Sequence, residues 1–216
     1  MPKLPRPPEV AALRARRPEV AKIPAGTAFA RVYFTGGAHP ARWDGFRSYG
    51  PANGRFDHHL PGRNGAPRVQ DRAALYCATS TITCIAEVFQ KTRRVDRAID
   101  APWLVIFEIQ RELRFLDLRG AFPKRIGASM AINTGSRVRA REWARSLYDA
   151  YDDMHGLLYS SSMYASSMHA NQPAIVMNER ARGAMAEHPS FNRALADDTL
   201  LDPLKHAAAD LGYSLR

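Results

Sequence analysis

Residues 73–90, from Ala73 to Gln90, read AALYCATSTITCIAEVFQ. Two patterns meet in this stretch. Ala74 to Ala78 reads as a short strand, and Ser80 or Thr81 then caps a helix in which Ile82, Ile85, Ala86 and Phe89 recur at i, i+3, i+4 and i+7. A strand feeding straight into an amphipathic helix predicts a domain that mixes the two element types. Within this nearly neutral run stands one acid, Glu87, off the apolar stripe. A carboxylate in apolar surroundings is costly to bury unless it is paired, hydrogen-bonded or catalytic, so Glu87 is the first place to look for chemistry. Taken alone, Glu87 also suits a helix-surface pair with Lys91 at i+4.

Working outward, residues 27–34 (TAFARVYF) predict a strand whose alternation puts Phe29, Arg31 and Tyr33 on one face. Residues 35–72 are rich in Gly, Pro, Arg, His and Asn and predict one long functional loop, with Gly54-Arg55-Phe56 inside it. Residues 103–109 (WLVIFEI) and 115–118 (FLDL) read as strands joined by a turn over 110–114. Ser136 caps a longer helix with Ala140, Trp143, Ala144, Leu147, Tyr148 and Tyr151 on one face and Arg137, Arg141 and Arg145 on another, read as a solvated stripe. Residues 156–161 and 174–177 predict two further strands, and residues 202–211 a helix. The fold class is α+β, one domain with a mixed sheet.

The chain has 216 residues, 45% of them hydrophobic, enough for a substantial single core. Residues 1–25 carry six prolines and several charges and predict an irregular N-terminal arm, although EVAALRARR could form one or two helical turns. The main domain is expected over residues 26–180, with residues 181–216 as a helical extension packed on it. Thirty-one Lys plus Arg against twenty-one Asp plus Glu give a charge of +10, which favours anionic partners without distinguishing among them. Two cysteines, Cys77 and Cys84, form neither a C-x-x-C pair nor a disulfide framework, and no run of eighteen apolar residues or secretory h-region occurs. Those features fit a cytoplasmic protein.

Several common sites are missing from the sequence: the G-x-x-x-x-G-K-[ST] phosphate loop, G-x-G-x-x-G after a strand, H-E-x-x-H and G-x-S-x-G. The adjacent His58 and His59 cannot both face one ion on a regular strand, and His58, His59, His155 and His169 read as loop or capping residues. A metal-free site is expected.

Three separated blocks remain: Gly54-Arg55-Phe56, Tyr76 followed by Ala86-Glu87-Val88, and GLLYSS over residues 156–161. Placed after the arginine of the first strand, they resemble the RES domain family, named for an Arg, a Glu and a Ser, from Phe29 to Met177. The resemblance implies an ADP-ribosyltransferase-like fold and an enzyme that consumes NAD, releasing nicotinamide by phosphorolysis or hydrolysis. It also implies a toxin neutralised by a cognate, Xre-like antitoxin. NAD would be substrate, with inorganic phosphate as the co-substrate of phosphorolysis, and no prosthetic group is expected.

The residue types suit that reaction. The pyridinium is already a good leaving group, so the enzyme must mainly position the ribose and stabilise an oxocarbenium-like transition state, a task for ionised Glu87. Arg31 and Arg55 can grip the diphosphate bidentately. Tyr76 offers a ring and a hydroxyl, and Ser161 a short-range contact to ribose or nicotinamide amide. The resemblance thus assigns Arg55, Glu87, Ser161 and Tyr76 to catalysis, and Arg31, Arg55, Tyr76 and Ser161 to substrate binding. The family spacing selects Ser161 among Ser160, Ser161 and Ser162. The chain departs from the pattern where Asp57 and His58 stand in place of an Asn after G-R-F, and in the length between Arg55 and Tyr76. Transfer of ADP-ribose to a macromolecule and a non-catalytic basic nucleic-acid-binding module are the alternatives. Neither direct nucleic-acid binding nor membrane association is expected, and homo-oligomer formation is left open.

Overall fold

Alternation along the strands sorts the core onto the two faces of one sheet. The structure, a computed structural model, describes residues 4–161, 163 and 173–216. Its elements begin α1 (Val10–Arg14), β1 (Val20–Ile23), β2 (Ala28–Phe34), β3 (Arg47–Gly50), β4 (Arg68–Ala78), α2 (Thr81–Phe89), β5 (Arg94–Val95), β6 (Pro102–Glu108) and β7 (Leu113–Asp117). They continue with α3 (Phe122–Arg125), α4 (Ala131–Thr134), α5 (Arg137–Ala150), β8 (Gly156–Tyr159), β9 (Ala174–Asn178), β10 (Phe191–Ala194), α6 (Leu201–Leu211) and β11 (Ser214–Leu215). Nine strands form one sheet in the order β1-β7-β8-β9-β4-β2-β6-β10, with β3 also paired to β4. The β7–β8 pair is parallel and the other pairs of this sheet are antiparallel, so the sheet is mixed and the fold α+β.

β8 and β9 lie in the middle and are buried along their whole length, as continuous apolar strands require. Leu157, Tyr159 and Val176 face α5, where Trp143, Leu147 and Phe56 complete one core. Leu158, Ile175 and Met177 point the other way, against Phe29, Leu75, Phe107 and Phe115. A third cluster joins Ile85 and Phe89 of α2 to Leu204 and Ala208 of α6 and to Val32 and Leu104 of the sheet. Fully burying one such side chain contributes about 1.5–3 kcal/mol. Gly156 has φ +150°, and a Cβ there would lie 2.0 Å from the Val176 carbonyl oxygen. The β8–β9 approach therefore demands glycine, which explains the first position of the GLLYSS block.

Three expectations change. The N-terminal segment is not an irregular appendage: β1 pairs with β7, Leu13 of α1 is completely buried, and the Trp143 indole donates to the Pro5 carbonyl. The C-terminal segment is not only helical, because β10 extends the main sheet beside β6 and β11 pairs with β5. The long loop contains β3 and the start of β4, which form a hairpin-like edge. The turn between β6 and β7 joins strands that do not pair with each other: β6 lies between β2 and β10, and β7 between β1 and β8. No helix among the described residues is long and apolar enough to cross a membrane.

Candidate active site

Strand β4 delivers Tyr76 and, through a tight connection, the N-terminus of α2. Ser80 caps that helix, its Oγ accepting from the Thr83 amide. The helix buries Cys84, Ile85, Ala86 and Phe89 and leaves Glu87 half-buried at the edge of a cleft of about 1370 Å³. Arg31, Arg55, Tyr76 and Glu87 all line this cleft. Ser161, 6% exposed, reaches the same point: its Oγ donates to Glu87 Oε1 at 2.5 Å and accepts from the Met163 amide. The fold thus assembles the five residues singled out from segments far apart in sequence. Ser162 and His169 lie outside the described residues.

Burial raises the Glu87 carboxyl above its ordinary value, and the Ser161 hydroxyl, Arg55, Arg137 and Gln90 oppose that rise. Arg31 donates to the carbonyls of Trp43 and Gly45 at 2.9 and 3.2 Å, which ties β2 to the loop after it. Arg55 donates to the Gly135 carbonyl at 2.7 Å. Burial, then repulsion from Arg137, lowers Arg55, and Glu87 partly offsets both. Neither Arg31 nor Arg55 forms an ion pair with a carboxylate among the described residues. A cleft lined by such guanidinium groups and one carboxylate is built for an anionic ligand.

Tyr76 has a buried hydroxyl that makes no hydrogen bond of good geometry, with the Phe56 amide as a weak backbone partner. Gly54 packs against it so closely that a Cβ on Gly54 would lie 2.3 Å from the hydroxyl oxygen. Phe56 anchors the loop, fully buried, its ring 4.7 Å from that of Tyr159. This accounts for two positions of the Gly, Arg and aromatic triplet: Gly54 for the close approach and Phe56 for the anchor.

Asp57, where the chain departs from the family pattern, organises the same loop together with His59. The Asp57 carboxylate, wholly buried, accepts from the amides of Ala52 and His59 and from His59 Nδ1 at 2.7, 2.9 and 2.7 Å. Burial works against the charge, but these hydrogen bonds hold Asp57 below the ordinary carboxylate range. His58 stacks on Tyr148, and its Nε2 faces Glu179 at 3.6 Å. Among the described residues no group of three or more His, Cys, Asp or Glu side chains is placed to hold a metal ion.

The arginine stripe on α5, read as solvated, keeps Arg137 exposed and also meets the Arg55 loop. Arg137 donates to Gln90 Oε1 at 2.7 Å and to the Asn53 carbonyl at 3.4 Å, and Arg141 donates to the Ala52 carbonyl at 3.3 Å. With Arg55 reaching back to Gly135, the helix and the Arg55 loop brace each other. Sequence periodicity put these arginines on one helical face but could not say that a loop from residues 52–55 lies against it.

The sequence model of the RES domain matches residues 20–199, most of the chain, and the protein belongs to that family. The match includes β1 and β10, the strands contributed from beyond the expected domain core. A chain in the crystal structure of the M. tuberculosis MbcT–MbcA toxin–antitoxin complex shares the fold, with a TM-score of 0.51 and 17% identity over 85% of this chain and 89% of that one. No functionally curated sequence matches.

Proposed function

We propose that the protein is an NAD-consuming toxin that cleaves the bond between nicotinamide and ribose, as an NAD phosphorylase or glycohydrolase. The observation that carries this reading is Glu87, half-buried in an arginine-lined cleft and fixed by Ser161. Glu87 faces the ribose and stabilises the oxocarbenium-like transition state as the neutral nicotinamide departs. The hydrogen bond from Ser161 lowers the cost of keeping that carboxylate ionised and fixes its direction. Arg31 and Arg55 take the diphosphate, and Tyr76 offers its ring as part of the cleft wall. No prosthetic group enters this scheme. Water or inorganic phosphate captures the ribosyl cation.

An enzyme of this kind would deplete its own cell, so the reading includes a cognate antitoxin of the Xre type that covers the cleft. The likeness to a chain from a toxin–antitoxin complex supports that partner. The test is incubation of purified protein with NAD, with and without inorganic phosphate and with candidate acceptors, and product identification by mass. Nicotinamide with free ADP-ribose indicates hydrolysis, a phosphorylated ADP-ribose indicates phosphorolysis, and a mass increment on an acceptor indicates transfer instead. Glu87→Gln is expected to fold normally and lose about 10²–10³ in rate. Absence of nicotinamide release under every condition would refute the proposal.

A further inference from the structure

Arg137 is the first residue of α5, and from an exposed position its guanidinium reaches the rim of the cleft. Both acceptors it uses, the Gln90 carboxamide and the Asn53 carbonyl, are neutral, and the second bond is long at 3.4 Å. Gln90 is in turn held by its Nε2, which donates to the Glu87 carbonyl at 2.6 Å. No carboxylate among the described residues forms an ion pair with Arg137. It is close enough to Arg55 to repel it and to Glu87 to attract it. Two mutually repelling guanidinium groups beside one carboxylate leave positive charge that a bound anion would neutralise. A planar fork engaged only by neutral acceptors can exchange them for phosphate oxygens with a net gain in charge-assisted bonding.

We infer that Arg137 is a further substrate-binding residue, which grips the diphosphate together with Arg55 and makes the cleft selective for dinucleotides over uncharged nucleosides. The inference rests on the NAD reading above and extends it to a side chain that the Arg, Glu and Ser pattern does not include. Its position also explains the brace between α5 and the Arg55 loop: Arg141 and the Arg55–Gly135 contact hold the two elements together while Arg137 changes partners.

Calorimetric titration of the full chain with ADP-ribose and with adenosine tests this. Arg137→Met is expected to bind ADP-ribose about 10-fold or more weakly, with adenosine unaffected. Arg137→Lys should fall between, since an ammonium supplies charge without the fork. Thermal melting of each variant verifies the fold. Equal ADP-ribose affinity in wild type and Arg137→Met, an equal loss for adenosine, or a wild type that does not bind ADP-ribose overturns the inference. Nicotinamide release by the wild type is read separately: release with unchanged ADP-ribose affinity in Arg137→Met sinks the diphosphate role alone. Weakened ADP-ribose binding in that variant without any NAD cleavage by the wild type sinks the catalytic reading and leaves the diphosphate site standing.

Discussion

Replacing Gly54 by alanine would insert a methyl group into the contact between the Arg55 loop and β4. The new Cβ would lie 2.3 Å from the Tyr76 hydroxyl oxygen, 2.7 Å from Cζ and 3.1 Å from Cε2. The attractive optimum between such atoms is about 3.5 Å, so roughly 1 Å of movement is needed. Tyr76 cannot readily supply it, because its backbone is paired with Val176 in the middle of the sheet. The loop must move instead, and it carries Arg55. Gly54 lies outside the left-handed region, so the cost is steric and not conformational. Overpacking of this size costs about 1–3 kcal/mol of stability, and a 1 Å displacement of a ligand-binding group costs on the order of 10² in rate. Gly54→Ala should therefore fold, unfold at lower urea and release nicotinamide about 10²-fold more slowly. Tyr76→Phe removes the atom at 2.3 Å and is expected to leave stability unchanged or slightly higher, because that hydroxyl is buried without a hydrogen bond of good geometry. A double-mutant cycle by urea denaturation checks the contact: the alanine should cost less in the Tyr76→Phe background. Equal costs in both backgrounds, or a Gly54→Ala protein as stable and active as the parent, would refute the reasoning.

Other perturbations reach different parts of the molecule. Because burial raises Glu87 and catalysis uses its ionised form, nicotinamide release should fall on acidification with a midpoint above the ordinary carboxylate range, as a pH–rate profile would show. The same shift means that Glu87 favours the folded state at low pH and loses that contribution as pH rises through its folded pKa. Glu87→Gln should then be more stable than wild type at pH 7, with the gain vanishing near pH 4, and a pH-independent difference would count against this account. Glu179 has the opposite sign: despite burial, the nearby His58 and hydrogen bonds from the Tyr148 hydroxyl and the Ala73 amide hold it at about 2. Its contribution is present above the ordinary carboxylate value and lost as pH falls toward about 2, so Glu179→Gln should destabilise at pH 7 and much less at pH 3 in chemical denaturation. Leu13→Ala should cost about 2–5 kcal/mol in urea melts if α1 is part of the core, and a cost near zero would show that it is not.

Local pattern was enough to read the units around Glu87. The Ser80 cap, the buried side of α2, the Trp143 face of α5 and the strands β8 and β9 each follow from spacing within a dozen residues. The edges were harder to read. β1 is four residues in a proline-rich segment and β10 four residues in a polar one, too short to show a period, and each forms because β7 or β6 offers an open ladder. Asp57 and the histidines after it were legible as a departure from a pattern but not as the buried network that shapes the Arg55 loop.

Sequence by itself therefore determined the α+β class and the central elements, because side-chain periodicity is a property of neighbouring residues, and short motifs pointed to Arg31, Arg55, Tyr76, Glu87 and Ser161 only through a family resemblance. Tertiary structure alone decided which strands pair, that Ser161 fixes Glu87, and that Arg137 reaches the rim of the cleft. Those outcomes depend on where distant segments meet, and a guanidinium on a helical face reads the same whether water or a loop from a distant segment lies opposite.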